Sequence, residues 1–218
     1  MTPYYQDDLA TIYHGDCLEI DAWLDADVLI TDPPYGMAFV SSRTTQTRPI
    51  ANDHDTSIRD AALARWGSKP AALFGTWKAP RPPGIANLLV WDKTDGTGAG
   101  MGDLGSCWGF SHEEIYVFGR WPKGRGRYGS VLRTKAGPAN LATRIGHPTP
   151  KPSEIMGKLI RNAPPGVIAD PFMGSGSTLV AAKSLGRKAI GVEIEEKYCE
   201  IAAKRLAQGY LWDAEAMA

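Results

Sequence analysis

The chain has 218 residues, 43% of them hydrophobic, which is enough for one sizeable core and too few for two large domains. Its 24 basic and 24 acidic side chains give a formal net charge of zero. Neutrality excludes a uniformly basic or acidic protein. It excludes neither a nucleic-acid partner nor a small-molecule ligand, because the placement of charges decides what a surface binds.

Short apolar runs alternate with helical patterns along the chain, which is typical of α/β architecture. In the first part of the chain they predict a helix at 58–66 and strands at 10–13, 28–31, 71–75, 87–91 and 114–118. The polar segment 41–56 is expected to be a mobile loop over the site. The Gly-, Arg- and Pro-rich stretch 122–148 is expected to be irregular or weakly structured.

The last third of the chain has the clearest order of elements. A helix is predicted at 153–162, with Ser153 as its N-cap and Pro164-Pro165-Gly166 as its stop. The elements that follow are a strand at 167–170, a Gly-rich turn at 173–176, a helix at 177–185, a strand at 188–193 and a helix at 195–207. This succession predicts a parallel sheet.

The segment ADPFMGSGSTLVAAKSLG, residues 169–186, combines a strand end, a Gly-rich turn and a helix start. Gly174 and Gly176 allow the backbone to approach a ligand closely, and the free N–H groups of the helix start favour an electronegative group. Glu193 ends the next strand, where a carboxylate can accept hydrogen bonds from two ribose hydroxyls. The pattern predicts a site for a nucleoside cofactor.

Asp170 helps to choose among nucleoside cofactors. The turn has no Gly-Lys-Ser/Thr sequence and departs from GxGxxG, so it matches neither a P-loop nor a dinucleotide fingerprint. A carboxylate at this strand end would repel a pyrophosphate, whereas it would attract the sulfonium and ammonium of S-adenosylmethionine. The charge argument favours S-adenosylmethionine. The alternative is a Gly-rich connection with an incidental acid.

A second signal is DVLITDPPYGM, in which a buried strand ends at Asp32-Pro33-Pro34-Tyr35. The prolines lack N–H groups and fix the backbone. Asp32 and the Pro33 carbonyl can therefore accept both hydrogens of a planar amino group, while Tyr35 offers a face for a flat ring. A base inside a duplex would have to be flipped out to reach them. The alternative is a simple strand-to-turn exit.

These segments, in this order, resemble the beta class of DNA amino-methyltransferases, in which the catalytic motif precedes the cofactor motif. TDPPYGM is similar to the catalytic motif and DPFMGSGST to the cofactor loop. GHPTPKPSEIMGKLI resembles the segment before that loop, and GVEIEEKYCEIAAKRL resembles the ribose-binding strand and helix. YHGDCLEI resembles the segment whose acid, here Asp16, approaches the adenine ring of the cofactor. VWDK and HEEIYVFGR fit the hairpin of the class.

The resemblance implies a Rossmann-like S-adenosylmethionine-dependent methyltransferase fold in a single domain, 1–218. Its sheet has seven mostly parallel strands with one antiparallel strand, and its motif order is circularly permuted. Thr149 and Lys151 are implied to lie beside the cofactor, although a solvated amine is an equal alternative for Lys151. The implied catalytic residues are Asp32, Pro33, Pro34 and Tyr35. The implied cofactor residues are Asp16, Cys17, Thr149, Lys151, Asp170, Pro171, Phe172, Gly174, Ser175, Gly176, Ser177, Thr178 and Glu193.

The implied partner is double-stranded DNA, and the charges indicate where it binds. Residues 7–32 hold eight acids and no Lys or Arg, whereas 120–151 hold eight bases and no acid. The target-recognition insertion, at about 120–147, is too short to be an independent domain. Base contacts would then come from this insertion, from the 41–56 loop or from a second subunit of a homodimer. Predicted DNA contacts are Arg43, Arg48, Lys123, Arg125, Arg127, Arg133, Lys135 and Arg144, with a solvated loop as the alternative.

The implied reaction is site-specific methylation of the exocyclic amine, N6, of adenine. Cytosine-specific members of the class tend to carry Ser where this chain has Asp32. The alternatives are methylation of the cytosine amine, N4, and methylation of RNA or of a protein amide, where Asn is more common at this position. A nicotinamide oxidoreductase would leave the Asp-Pro-Pro-Tyr motif unexplained, and a non-catalytic DNA-binding module would leave both motifs without a purpose.

Other residues predict structural roles or the cellular setting. Cys17, Cys107 and Cys199 are far apart and form no CxxC pair, so we expect no structural zinc and no other metal. Because there is no run of eighteen apolar residues and no signal-peptide pattern, we expect no membrane contact and a cytoplasmic protein, bacterial or phage-encoded. The four residues Trp66, Trp77, Trp91 and Trp108 are expected to pack in the core or the hairpin. His112-Glu113, at a strand start, is expected to form a structural hydrogen bond.

Overall fold

The computed structural model describes residues 1–37, 54–94, 96, 98, 107–123, 128–134, 145 and 150–208. Its strands are β1 (Tyr5–Gln6), β2 (Ala10–His14), β3 (Val28–Thr31), β4 (Ala71–Gly75), β5 (Asn87–Asp92), β6 (His112–Phe118), β7 (Val131–Arg133), β8 (Ile168–Asp170) and β9 (Ala189–Glu193). Its helices include a 3₁₀ helix (Ala22–Asp25), α1 (Ser57–Trp66), α2 (Ser153–Asn162), α3 (Ser177–Ser184) and α4 (Glu196–Ala207).

The strands form one sheet in the order β1-β2-β9-β8-β3-β4-β6-β5-β7. β2, β9, β8, β3 and β4 are parallel to one another, whereas β6 is antiparallel to both β4 and β5. The seven central strands, β2 to β5 in this order, therefore hold one antiparallel strand, which confirms the predicted sheet. The short strands β1 and β7 extend its two edges and were not predicted.

The sheet brings the two predicted motifs together although they are far apart in the chain. β3, which precedes the Asp-Pro-Pro-Tyr segment, pairs in parallel with β8, which precedes the Gly-rich turn. β9 lies on the other side of β8 and pairs with β2, the first strand of the central seven. The catalytic and cofactor segments consequently leave the sheet at the same edge, side by side.

Alternating side chains of the central strands divide the core into two layers. On β3, Val28 and Ile30 join the cluster formed with α2, α3 and α4, while Leu29 joins the cluster formed with the 3₁₀ helix and α1. Side chains in a strand point to opposite faces in turn, so a strand covered on both faces is apolar at every position. All four residues of β3 and all five of β4 are buried, which explains the unbroken apolar runs in the sequence.

The bounds of the predicted elements agree with the structure to within two residues, but one predicted cap is wrong and, besides β1, two elements were missed. Ser153 is not the N-cap, because Pro152 occupies that position and Ser153 is the first helical residue. No side chain forms a capping hydrogen bond at this helix start. The stretch 122–148 was expected to be irregular, but it contains β7, which pairs with β5. The 3₁₀ helix was also missed. Its Trp23 is buried and donates a hydrogen bond to the Cys17 carbonyl, 2.9 Å.

The tryptophans divide into two groups. Trp66 is buried and stacks on Trp23, with ring centroids 5.7 Å apart, and Trp91 is buried edge-on to Phe74. These two confirm the expectation of core packing. Trp77 and Trp108 are not core residues, because they are 56% and 80% exposed, although the Trp77 ring lies 6.2 Å from that of Phe110, just before β6 of the hairpin. Trp77 follows the end of β4 and Trp108 precedes the start of β6, so both lie beyond strand ends and face neither layer of the core.

Several predicted residues lie outside the described part of the chain: Arg43, Arg48, Arg125, Arg127, Lys135, Arg144 and Thr149. Most of the 41–56 loop lies outside it as well. Among the described residues, no helix is long and apolar enough to cross a membrane.

Candidate active site

Acidic side chains stand at the carboxyl ends of four neighbouring parallel strands. Glu193 ends β9, Asp170 ends β8, Asp32 directly follows β3, and Asp16 lies two residues after β2. Parallel neighbours end at the same edge, and ligands of open α/β sheets bind outside that edge. This carboxyl edge is therefore the candidate site.

The turn after β8 has the backbone that a close ligand requires. Gly174 and Gly176 both adopt positive φ, 50° and 80°, which favours glycine. A Cβ at Gly176 would also lie 2.8 Å from the Cβ of Ala202 on α4. The turn closes with a hydrogen bond from the Gly176 N–H to the Met173 carbonyl, 2.8 Å, and α3 begins at the next residue.

Glu193 is fixed by the backbone at the end of β9. Its two carboxylate oxygens accept hydrogen bonds from the N–H groups of Gly174 and Glu195, each at 2.9 Å. Burial raises the pKa of Glu193 to about 7, and the two N–H groups oppose this shift only in part. Each oxygen keeps a lone pair for a further donor, so the carboxylate suits the two hydroxyls of a ribose.

Asp170 ties the cofactor strand to the catalytic strand. Its carboxylate accepts hydrogen bonds from the Thr31 hydroxyl, 2.6 Å, and from the Phe172 N–H, 3.2 Å. Burial raises the pKa of Asp170 to about 6. Both hydrogen bonds go to Oδ1, and the one from Thr31 joins the end of β3 to the end of β8.

Ser177 stands out among the predicted cofactor residues. Its Oγ is buried at the start of α3 and has no hydrogen-bond partner within the described part of the chain. A buried hydroxyl normally has a partner, and a helix start presents unpaired N–H groups. The orphan hydroxyl, the positive-φ glycines and the Glu193 carboxylate are together consistent with a nucleoside cofactor held at this turn.

Other predicted cofactor residues face the protein interior. Thr178 is fully buried, with its Oγ1 3.9 Å from Met156 Sδ, and both the carbonyl and the Oγ of Ser175 accept from Arg205. Cys17 belongs to the core, where burial raises the pKa of its thiol to about 12. Pro171 is buried as well, whereas Phe172 and Asp16 are partly exposed. Thr178, Ser175 and Pro171 therefore support the Gly-rich turn from the interior, whereas Cys17 packs in the core.

The Asp32-Pro33-Pro34-Tyr35 segment is the centre of a cluster of charged side chains. Asp32 Oδ1 accepts from the Tyr35 hydroxyl, 2.6 Å, and Asp32 Oδ2 lies 2.6 Å from Lys151 Nζ. Lys151 Nζ also lies 3.2 Å from Glu113 Oε2, and Lys93 Nζ lies 3.3 Å from Glu113 Oε1. Two carboxylates and two ammonium groups thus alternate at the carboxyl edge.

Neighbouring opposite charges favour the charged forms of Lys151 and Glu113. Burial lowers the pKa of Lys151, but the carboxylates of Asp32 and Glu113 outweigh it, so the net pKa is raised. Burial raises the pKa of Glu113, but Lys151 and Lys93 outweigh it, so the net pKa is lowered. Burial raises the pKa of Asp32 by more than Lys151 lowers it, so the net pKa is raised.

Two expectations are corrected by this cluster. Lys151 is not a solvated amine, because its side chain is only 7% exposed and pairs with Asp32. Glu113 is not confined to a structural hydrogen bond at a strand start, because its carboxylate contacts both Lys151 and the Tyr35 hydroxyl. Strand alternation could have indicated Glu113: it shares a face of β6 with Ile115, which points into the α2–α4 layer.

Two members of the predicted DNA surface, Lys123 and Arg133, lie in the described part of the chain. Lys123 is exposed, and Arg133 at the end of β7 lies 3.7 Å from the Asp92 carboxylate. Arg133 is therefore partly neutralised by a neighbour on β5. In the described ranges, no group of three or more His, Cys, Asp or Glu side chains could hold a metal ion.

Residues 123–204 match the N6_N4_Mtase family, described as DNA methylase. The chain is 40% identical over 263 residues to the type II methyltransferase M.ScaI of Streptomyces caespitosus, which covers 94% of this chain and 83% of the relative. It is 28% identical to the type II methyltransferase M2.LlaDCHI of Lactococcus lactis subsp. cremoris, over 95% of this chain and 93% of the relative. The chain belongs to the N4/N6 DNA methylase family.

Solved structures of methyltransferases share the fold. The M1.HpyAVI–SAM complex superposes with a TM-score of 0.64 at 23% identity, over 91% of this chain and 99% of the other. PvuII DNA methyltransferase (cytosine-N4-specific) superposes with a TM-score of 0.62 at 14% identity, over 98% of this chain and 92% of the other. The Rossmann-like methyltransferase fold is confirmed, and S-adenosyl-L-methionine is confirmed as the cofactor of the family.

Proposed function

We propose that this DNA methylase transfers the methyl group of S-adenosyl-L-methionine to the N6 amine of an adenine flipped out of double-stranded DNA. The observation that carries the proposal is the Asp32 carboxylate, which follows β3 and lies one strand away from the Gly-rich turn after β8. A methyl donor at that turn and an amine at Asp32 would meet at the carboxyl edge.

Asp32 and the Pro33 carbonyl would hold the target amine. A carboxylate and a carbonyl accept the two N–H groups of an amine, which draws the nitrogen away from amide-like planarity. In the free protein Asp32 already accepts N–H donors of this kind, because Lys151 Nζ lies 2.6 Å from its Oδ2. The ring of Tyr35 would stack on the base, and its hydroxyl donates to Asp32 and so orients the carboxylate.

The reaction would need positioning and electrostatics rather than a protein nucleophile. S-adenosyl-L-methionine supplies a methyl carbon bonded to a sulfonium, which is a good leaving group. The lone pair of N6 forms the C–N bond as the C–S bond breaks, and the sulfur keeps its electron pair in S-adenosyl-L-homocysteine. The cationic product amine then loses one proton to Asp32 or to water. The cluster supports this order, because Lys151 and the Tyr35 hydroxyl stabilise the ionised form of Asp32 against the effect of burial.

At the cofactor turn, Glu193 would accept hydrogen bonds from the ribose hydroxyls, and the start of α3 would face the cofactor. Asp16 would approach its adenine ring, and Thr149 would lie beside it. We include Asp170, Pro171, Phe172, Gly174, Ser175, Gly176, Ser177 and Thr178 as the residues that shape this cradle. The buried, unpartnered Ser177 hydroxyl supports this part of the proposal within the described part of the chain.

We further propose that the chain is one methyltransferase domain with a short basic insertion at about 120–147 that contacts DNA phosphates. Exposed Lys123 supports this role, whereas the Asp92 neighbour of Arg133 weakens it at that position. An insertion of this size leaves base contacts to the 41–56 loop or to a second subunit, so a homodimer on DNA is part of the proposal.

Analysis of product nucleosides tests the proposed substrate atom. Duplex DNA methylated by the purified protein is digested to nucleosides, and these are separated by mass spectrometry. We expect N6-methyladenine as the main product, because Asp32 stands where cytosine-specific members tend to have Ser. N4-methylcytosine as the main product would overturn the adenine assignment and leave the family unchanged. Methylation of neither base would overturn the proposed function.

A further inference from the structure

The Lys151 ammonium contacts the carboxylate to which the target amine of the proposed reaction would donate. Both oxygens of Asp32 are engaged in the free protein, Oδ1 by the Tyr35 hydroxyl and Oδ2 by Lys151 Nζ, each at 2.6 Å. An entering amine would donate to the same carboxylate. Each oxygen of Asp32 keeps one acceptor site, but the amine and the ammonium compete for the same carboxylate, and withdrawal of the ammonium frees Oδ2 for the base.

Lys151 can withdraw cheaply only toward another carboxylate. Its side chain is 7% exposed and lies over the rings of Phe74 and Tyr35, with Nζ 5.1 Å and 5.6 Å from their centroids. Leaving a buried ammonium without a counter-ion carries a large desolvation penalty. Glu113 Oε2, 3.2 Å from Nζ, provides the second partner.

Glu113 is itself held in place on its far side. Lys93, which directly follows β5, lies 3.3 Å from Glu113 Oε1, so this carboxylate bridges two ammonium groups. With Asp32 and Glu113 ionised and both lysines protonated, the four charges cancel. A neutral base can then enter while Lys151 shifts from Asp32 to Glu113, so the buried ammonium keeps a carboxylate partner, and Asp32 keeps the Tyr35 hydroxyl and gains the N–H donors of the amine.

We propose that Glu113 is a positioning residue that draws Lys151 away from Asp32 when the target amine enters. The inference rests on the proposed function, and it assigns Glu113 a role in admitting the base rather than in holding the strand. If the charge of Glu113 is removed, Asp32 is the one carboxylate left for Lys151 among the described residues of this cluster. The ammonium then stays on Asp32 and competes with the target amine.

The test is a double-mutant cycle on Glu113 and Lys151, with methylation of duplex DNA as the readout. Glu113→Gln should lower kcat roughly ten- to hundred-fold, the range of one charge-assisted hydrogen bond. The KM for DNA and the Kd for S-adenosyl-L-methionine should stay near the wild-type values, because phosphate contacts and the cofactor turn are untouched. In a Lys151→Met background the same Glu113→Gln change should no longer lower kcat, because no ammonium remains to be withdrawn.

Glu114→Gln is the matched control. Glu114 is the next residue of β6 and points to the other face of the strand, where it pairs with Arg81 and accepts from the Tyr116 hydroxyl. The control removes one buried carboxylate charge from the same strand and should leave kcat within about twofold of wild type, as expected for a site outside the cluster. Calorimetric titration with S-adenosyl-L-methionine verifies that each variant is folded.

Two results would overturn the inference. One is an unchanged kcat in Glu113→Gln, and the other is an equal fall in kcat with and without Lys151. If Glu113→Gln does not fold, Glu113→Asp takes its place in the cycle: its shorter side chain should give a smaller fall in kcat that also disappears in the Lys151→Met background. Absence of methylation by the wild-type protein would instead refute the proposed function, so the two failures are distinct.

Discussion

The cofactor turn and the catalytic cluster lie on adjacent strands, yet they are held by different kinds of contact. At the turn, Glu193 accepts from the backbone N–H groups of Gly174 and Glu195. In the cluster, Asp32 is held by the side chains of Tyr35 and Lys151. Backbone contacts are fixed when the sheet and helices form, whereas side-chain contacts can be exchanged. The turn is thus suited to binding, and the cluster to a step in which partners change.

The electrostatics follow the same division. Glu193 is buried against neutral N–H groups, and burial raises its pKa to about 7. Glu113 is buried to a similar degree, but two lysines outweigh the effect of burial and lower its pKa. A carboxylate of the turn can therefore change its charge near neutral pH, while Glu113 and Lys151 of the cluster stay charged and can exchange partners.

The largest expected effect separates catalysis from cofactor binding. Asp32→Ala removes the acceptor of the target amine and should lower kcat by about a thousandfold or more, on the scale of lost transition-state contacts. The Kd for S-adenosyl-L-methionine should stay nearly unchanged, because Glu193 and the Gly-rich turn remain. Methylation rates and calorimetry on the same preparation measure both quantities. Asp8→Ala, at an exposed position, is the control. An equal loss of cofactor affinity would show that the two halves are not separable.

The reciprocal variant is Glu193→Ala. Loss of two charge-assisted hydrogen bonds to ribose should weaken cofactor binding by about 1–3 kcal/mol. At saturating cofactor, methylation should largely recover, because the catalytic cluster is intact. Calorimetry without divalent ions gives the Kd. Glu195→Ala is the control, since it keeps the backbone N–H that donates to Glu193 and removes only a neighbouring carboxylate. Wild-type binding only in the presence of a divalent ion would contradict the expected metal-free site.

Acid should weaken cofactor binding in the wild type. The pKa of Glu193 is raised from its ordinary value to about 7, so the carboxylate becomes protonated as the pH falls through 7. The ionised form accepts both ribose hydroxyls, so the apparent affinity should fall on acidification and approach a tenfold loss per pH unit below 7. Above pH 8 the affinity should level off. Titrations between pH 5 and 8.5 measure both the slope and the level region. A Glu193→Gln variant with the same slope would assign the proton to another group.

The contrast also explains which parts of the molecule could be predicted from sequence. The turn is local: Gly174, Gly176 and Glu193 lie within one strand–helix–strand unit, and all three were found from their spacing. The buried strands β3 and β4 were found because both of their faces are apolar. The cluster is not local. Glu113 and Lys151 reach Asp32 from distant parts of the chain through β6 and the approach to α2, and no spacing rule connects them.

Weakly patterned segments account for the other misses. β7 has three residues and exists only because it pairs with β5, and β1 has two residues that pair with β2. Such short runs carry no usable periodicity. Trp77 and Trp108 were assigned to packing from residue type alone, but they lie beyond strand ends, where neither layer of the core reaches them. Tertiary pairing and position along a strand, which decide these cases, are not written in local sequence.

The smallest effect on the cofactor turn and the catalytic cluster is expected from changes in the basic insertion, at about 120–147, which is part of neither. If it follows the phosphate backbone, log affinity for DNA falls with log salt by about 0.9 per phosphate neutralised. Arg125→Ala with Arg127→Ala should flatten that slope by up to about two units. Specific and non-specific duplexes should weaken alike, because phosphate contacts position the protein and do not read bases. The Kd for S-adenosyl-L-methionine and the kcat at saturating DNA should not change.

An unchanged salt slope would mean that the insertion is a solvated loop and that DNA binds elsewhere. A loss of cofactor binding in the same double variant would mean instead that the insertion packs against the fold, so that the turn and the cluster depend on a third region.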